Sequence, residues 1–189
     1  MMLQRQAAKK RAFTLTELAI VLGIVGLILG AIWVAAAAVY QNQRVATTTR
    51  QILAIAQSVR SIYSTQQLAT GITAVNLAKA GGVPTDMLNS ATNPTTVTDL
   101  WGGAVTVTAA TQLVAGDAFA ITLRRVPQSA CVTLATSLTG PGRDSGLLGV
   151  DPAAAINTVF PVTLARAVAM CPGVAVAGNP ITFTFKLKS

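Results

Sequence analysis

The sequence predicts an α+β protein in which one long N-terminal α-helix packs against an antiparallel β-sheet head. Two observations predict the helix: residues 18–40 carry no charged side chain, and an amphipathic segment without proline follows them. A third observation predicts the sheet, because residues 104–125 and 180–189 contain stretches that alternate apolar and polar side chains as strands do. The length of 189 residues fits one domain with an extension.

The first half of the helix has the length and composition of a membrane span. Residues 18–40 form an uncharged run of 23 residues, which at about 1.5 Å per residue crosses a hydrocarbon core of roughly 30 Å. Four basic residues precede the run, so we expect the N-terminus in the cytoplasm and the C-terminal bulk in the periplasm or outside. Secretory signals have shorter apolar regions of about 7–15 residues; cleavage after the alanines at 35–38 is the alternative.

Glu17 is an acid at the entrance of this apolar run. An unpaired carboxylate in hydrocarbon costs at least about 3 kcal/mol, so Glu17 is expected to have a partner. The alternative interpretation is an acid at a helix N-terminus, which the helix dipole stabilises by about 0.3–1 kcal/mol. Further along, Gly26 and Gly30 form a G-x-x-x-G pair that permits close approach of another helix.

The second half of the helix is predicted to be amphipathic and to end near Gln66. Ile52, Ala56, Val59 and Tyr63 recur at spacings of four, three and four residues, which places them on one helix face. Only that face needs an apolar partner. The pattern therefore predicts a stem whose far end packs beneath the sheet; the alternative is a membrane helix followed by an independent helix.

The rest of the chain predicts short elements joined by loops. Residues 72–80 predict a short helix, 129–138 and 161–171 predict two more, and 180–189 predict the last strand. In an alternative, both cysteine-containing segments are strands. A hairpin is predicted from 104–108 and 119–125 with its break at Gly116-Asp117, and the glycine-rich stretch 140–149 predicts a loop. Pro161 is expected to begin its helix.

Composition excludes several classes of chemistry. The chain has no histidine and two cysteines, which removes histidine-dependent general base catalysis and the usual zinc sites. No catalytic constellation, metal site or cofactor site is predicted, and Asp117 and Asp144 are interpreted as turn residues. Trp101 is expected to pack in the core against the stem. The net charge of +8 is half explained by the four basic residues near the N-terminus, and no basic stripe predicts specific nucleic-acid binding.

Cys131 and Cys171 are expected to form one disulfide, because the chain beyond the apolar run is predicted to be exported. Closing a loop of about 40 residues restricts the unfolded chain and contributes roughly 3–4 kcal/mol. The alternative is a pair of buried free thiols, which requires a reducing compartment.

The residues Lys-Arg-Ala-Phe-Thr-Leu-Thr-Glu at 10–17, followed by the apolar run, resemble the class III leader of type IV prepilins. The resemblance implies that a prepilin peptidase cuts between Ala12 and Phe13 and methylates the new N-terminus of Phe13. The residue before the cut is normally glycine in that family. The resemblance also implies that Glu17 pairs with the Phe13 amine of another subunit and sets the register of a filament.

The segment Asp-Leu-Trp-Gly-Gly-Ala-Val-Thr-Val at 99–107, with one cysteine after the next strand and a second before the terminal strand, is similar to PilS-like type IVb pilins of conjugative thin pili and adhesive pili. The short leader and the expected first mature residue, Phe13, are instead typical of type IVa pilins. The division this implies is a leader at 1–12, a helix at 13–66 whose filament core is 13–40 and whose amphipathic part is 41–66, and a globular head at 67–189.

These resemblances imply a non-enzymatic major pilus subunit for conjugation or surface adhesion. It would form a homopolymer with the help of an assembly ATPase and a platform membrane protein, first in the inner membrane and then on the cell surface. The alternatives are a minor pilin or type II secretion pseudopilin, and a signal-anchored periplasmic enzyme or binding protein.

Overall fold

The computed structural model describes residues 14–151, 159–173 and 178–188. The chain divides into two compact units, an N-terminal unit that ends at Gln41 and a C-terminal unit that begins at Asn42. The predicted leader and Phe13 lie outside the described residues. In chain order the helices and strands are α1 (Leu15–Ile62), α2 (Ala74–Lys79), β1 (Val105–Thr111), β2 (Ala115–Val126), α3 (Gln128–Leu138), β3 (Leu147–Asp151), α4 (Leu164–Met170) and β4 (Asn179–Lys186), with a 3₁₀ turn at Thr85–Met87.

Helix α1 is a continuous helix of 48 residues. It ends at Ile62, before the predicted Gln66, because the next residues close the last turn: the Ser64 N–H donates to the Ser61 carbonyl at 3.3 Å. Among the described residues, α1 is the one helix long and apolar enough to cross a membrane.

The C-terminal part of α1 buries the face that the spacing predicted. Ile52, Ala56 and Val59 are all at most 1% exposed, and Ile55 joins them in the core. Thus the amphipathic pattern correctly identified the buried face.

The sheet has four strands in the order β1-β2-β4-β3, and every neighbouring pair is antiparallel. The apolar side chains on one sheet face and the buried α1 side chains belong to one core cluster, which includes residues of α2, α3 and α4. Phe119 and Phe185 stack within it with ring centroids 5.6 Å apart. The predicted fold class, a long helix packed against an antiparallel sheet, is confirmed.

The hairpin between β1 and β2 turns earlier than the sequence predicted. Its tip is at residues 112–114, whereas Gly116 and Asp117 already belong to β2. The Asp117 carboxylate accepts the backbone N–H groups of Gln112, Leu113 and Val114 at 2.6–3.0 Å. Asp117 is therefore a turn residue, as predicted, but it holds the turn from within the following strand.

Two further local predictions need correction. Strand β3 begins at Leu147, inside the stretch predicted as a loop, because pairing with β4 buries Leu147 and Val150. Helix α4 begins at Leu164 with Thr163 as its N-cap, so Pro161 precedes the helix instead of starting it.

The cysteine segments form a helical pair. Cys131 lies in α3, and Cys171 is the C-cap of α4, so the strand alternative is wrong. The two form the expected disulfide, with Cα atoms 6.0 Å apart, and both side chains are fully buried. The disulfide therefore links α3 to the C-terminal end of α4.

Candidate functional site

The start of α1 is a capping box. The Thr14 N–H and the Thr14 hydroxyl both donate to Glu17 Oε2 at 3.0 Å, and the Glu17 N–H donates to the Thr14 hydroxyl at 3.3 Å. This reciprocal pattern satisfies backbone groups that a helix N-terminus leaves without partners. Glu17 therefore has a local structural role, close to the alternative interpretation of an acid at a helix N-terminus. The predicted pairing of Glu17 with a second subunit stays a prediction.

The N-terminal unit presents an apolar surface with no covering. All its described residues are exposed, and fifteen large apolar side chains between Leu15 and Tyr40 are each at least 44% exposed. Leu15 reaches 86% and Trp33 reaches 76%. A continuous apolar surface of this kind marks a site of contact with a membrane or with other protein chains.

Three glycines interrupt this apolar surface. A Cβ atom placed on Gly23, Gly26 or Gly30 would meet nothing within 4 Å in the single chain. Glycine inside a helix costs about 1 kcal/mol relative to alanine. No contact within the chain therefore explains why these positions are glycine. The absence of side chains there allows another helix to approach closely.

At the other end of α1, an ion pair joins the helix to the loop before β3. Arg60 Nη1 and Nη2 donate to the two oxygens of Asp144 at 2.9 and 2.8 Å, and Arg60 Nε donates to the Lys186 carbonyl at 3.2 Å. The hydrogen bonds from Arg60 are the main reason that the pKa of Asp144 is lowered. Burial opposes this effect, and the Gly146 N–H assists it.

Asp144 thus combines the predicted turn role with a second role that sequence reasoning missed. Its bond to Gly146 closes the local turn, but its partner Arg60 is 84 residues away. The sequence contained one signal for this second role: Arg60 lies next to Val59, on the edge of the predicted apolar face of α1. An arginine in that position needs a hydrogen-bond acceptor once the head packs against the helix.

The Trp-Gly-Gly loop before β1 is built around Asp99. Its Oδ1 accepts the backbone N–H groups of Trp101 at 2.9 Å and Gly103 at 2.7 Å, while burial raises the pKa of Asp99. A Cβ on Gly103 would overlap the Arg124 carbonyl oxygen, so only glycine fits there. Trp101 is partly buried and packs against the core cluster, and its expected contact with the stem stays a prediction. The loop is therefore a structural feature of the fold.

Two further observations concern chemistry. Arg124 and Arg125 are both exposed and lie in a β-bulge of β2, with Arg125 at a φ of 61°. Within the described ranges, no group of three or more His, Cys, Asp or Glu side chains could hold a metal ion.

Comparison with known proteins identifies the family. The family model described as PilS N terminal matches residues 42–186. The chain belongs to the PilS family of type IV pilins. A second family model, the prokaryotic N-terminal methylation motif, matches residues 7–33 of this pilin. Pilins of this family are structural proteins.

The fold of this pilin is also found in a solved structure. The crystal structure of the type IVb pilin from Salmonella typhi matches with a TM-score of 0.50 and 24% sequence identity, over 75% of this chain and 97% of that one. No curated protein matches.

The methylation motif covers the residues assigned to processing. Its match at 7–33 includes Ala12, Phe13 and Glu17. Ala12 and Phe13 lie outside the described residues, so cleavage between them and methylation of Phe13 stay predictions.

Proposed function

We propose that this pilin is the major subunit of a type IVb pilus that serves conjugation or surface adhesion. The observation that carries the proposal is the uncovered apolar surface of α1, which begins inside the N-terminal methylation motif. In this proposal the surface is first covered by lipid in the inner membrane and then by the helices of neighbouring subunits in a filament on the cell surface.

The energetics favour a covered helix. Complete burial of a large apolar side chain is worth about 1.5–3 kcal/mol relative to water, and fifteen such side chains are exposed along the N-terminal unit. Lipid covers them as well as protein does, so association between stems depends on close packing at small residues. Gly23, Gly26 and Gly30 provide that access. Extraction from lipid into a filament requires work, which the family resemblance assigns to an assembly ATPase and a platform membrane protein.

Processing would create the partner of Glu17. A prepilin peptidase that cuts between Ala12 and Phe13 releases a positively charged amine at Phe13. Pairing of this amine with Glu17 of an adjacent subunit compensates both charges and defines the axial register. Buried ion pairs of this kind specify an arrangement more reliably than they add stability.

Mass spectrometry of material sheared from the cell surface tests the proposal. We expect this chain to dominate the sheared filaments and to begin at N-methylated Phe13. A trace amount in filaments built from another subunit would indicate a minor pilin instead. An intact chain that begins at Met1 and stays singly in the inner membrane would overturn the proposal. Ala12→Gly is the matched variant, and we expect it to be processed at least as fast as the wild type.

The register role is tested by comparing Glu17→Gln with Glu17→Ala. Glutamine can still accept in a capping box, but it carries no charge. If the charge pairs with the Phe13 amine, both variants lose filament yield by about tenfold or more. If only the cap matters, Glu17→Gln assembles like the wild type while Glu17→Ala does not. That second result would remove the register role and leave the pilin function in place.

A further inference from the structure

Strand β1 is an edge strand with unpaired backbone groups. β2 is its neighbour on one side. On the other side the Val105 N–H donates to the Val97 carbonyl at 2.9 Å. Since backbone groups of alternate residues point the same way along a strand, those of Val107 and Ala109 point outward too. They make no backbone hydrogen bond on that side with any described residue. The edge is therefore open from Val107 onward.

The open edge lacks the side chains that usually prevent strand pairing, and its one register irregularity, between Ala110 and Thr111, lies at its end. β1 reads Val-Thr-Val-Thr-Ala-Ala-Thr, with no charge and no proline, whereas exposed edges are commonly guarded by lysine, proline or inward-pointing charges. Val105 and Val107 are buried beneath the sheet, while Thr106 and Thr108 are exposed. The edge can therefore accept another strand without exposing or burying a charge.

A cleft beside this edge leaves room for an incoming chain. It encloses about 330 Å³ between β1 and the segments 73–75 and 95–97, and every residue that lines it is uncharged. An extended, uncharged backbone with small side chains is the chemistry that fits such a place, because main-chain hydrogen bonds supply the affinity in strand addition.

We infer that the β1 edge pairs antiparallel with the β1 edge of a second copy of this pilin. The outward groups then pair Val107 with Ala109 of the other copy, and the two-fold axis passes through Thr108. Thr108 faces Thr108, and Thr106 faces Ala110. The pairing is self-complementary because β1 carries no charge that would meet itself across the axis.

The symmetry decides which copies meet. A contact that uses the same surface on both partners has two-fold symmetry, whereas subunits along a polar filament follow a screw axis. The β1 contact therefore joins subunits of two different filaments and bundles them laterally. This inference rests on the proposed function, since bundling requires filaments.

Cysteine cross-linking in sheared filaments tests the pairing. Thr108→Cys places two thiols at a non-hydrogen-bonded pair with Cα atoms about 4.5 Å apart, within the range for a disulfide. In the matched control Thr106→Cys, the two thiols lie about 14 Å apart along the strands. We expect at least about tenfold more disulfide-linked dimer from Thr108→Cys. Equal cross-linking of the two variants, or none from either, would overturn the inference while leaving filament formation intact.

A charge variant tests the same contact without a thiol. Thr108→Lys puts two lysines opposite each other across the axis, where like charges destabilise strand pairing. Thr133→Lys adds the same charge on the exposed side of α3 and serves as the control. We expect Thr108→Lys alone to reduce bundles in low-speed pellets about fivefold, with unchanged total filament yield. Unchanged bundling would contradict the inference, as would loss of the filaments themselves, which would place the edge inside a single filament.

Discussion

Removal of the charge on Asp144 tests whether the ion pair with Arg60 holds the end of α1 against the head. The two side chains are only 18% and 16% exposed and meet through two hydrogen bonds of 2.8 and 2.9 Å. Hydrogen bonds to charged groups contribute about 1.5–3 kcal/mol, and a buried charge left without its partner adds to the loss. Asp144→Asn is therefore expected to lower the free energy of unfolding by about 2–3 kcal/mol, or the melting temperature by roughly 5–10 °C.

A double-mutant cycle separates the pair from its surroundings. Arg60→Met keeps the apolar part of a side chain that lies over the Phe185 ring, with the guanidinium carbon 5.8 Å from the ring centroid. Because the double variant leaves neither charge unpaired, we expect it to be less destabilised than the sum of the two single variants by about 1–3 kcal/mol.

The pH dependence of this stabilisation has a definite sign. The folded-state pKa of Asp144 is lowered from its ordinary value of 3.8, so the folded state binds the proton less readily than the unfolded state. The stabilisation is therefore fully present above about pH 5 and is lost as the pH falls below 4 through the folded-state pKa. The difference between wild type and Asp144→Asn should shrink over that window.

The assay is thermal unfolding of the full chain in detergent micelles, monitored by near-ultraviolet circular dichroism. Asp144→Asn within about 0.5 kcal/mol of wild type would refute the reasoning, as would strictly additive effects in the cycle. In either case the close contact would make no net contribution, as happens for many exposed ion pairs.

Two further predictions concern the head. Replacing both Cys131 and Cys171 by alanine is expected to lower the free energy of unfolding by about 3–4 kcal/mol, because the disulfide closes a loop with a sequence separation of 40. Wild type in reductant should lose the same amount, and a double variant as stable as oxidised wild type would contradict the prediction. Asp117→Ala is expected to speed amide hydrogen exchange at residues 112–114, which lose their shared acceptor; unchanged exchange there, with exchange in α4 as the internal control, would contradict that.

The parts of the fold that sequence predicted are those whose signal is periodic and local. The buried face of α1 repeats every three to four residues, and β4 alternates from Ile181 to Lys186, so a short window contains the evidence. The capping box was not predicted, although its signal is local: threonine and glutamate stand three residues apart before an apolar run. Processing residues, by contrast, came from resemblance to a family motif.

The missed parts depend on contacts between distant segments. β3 is a strand because it pairs with β4. The glycine-rich residues that precede it favour a loop. Arg60 and Asp144 are separated by 84 residues, so neither residue's neighbours reveal the pair. The hairpin tip lies earlier in the chain than predicted because the Asp117 side chain accepts the N–H groups of residues 112–114. The aspartate therefore follows the turn and is not part of it.

The capping box and the proposed register role of Glu17 are compatible, because they use different oxygens. Both hydrogen bonds from Thr14 go to Oε2, and among the described residues none goes to Oε1. An ionised carboxylate accepts about four hydrogen bonds, so Oε1 can receive a cationic amine while Oε2 holds the cap. The cap would then fix the carboxylate before a partner arrives, which reduces the entropy lost on pairing. A glutamine has one carbonyl oxygen: if that oxygen caps the helix, the amide nitrogen faces the incoming amine and offers no acceptor. This asymmetry is why Glu17→Gln separates the two roles.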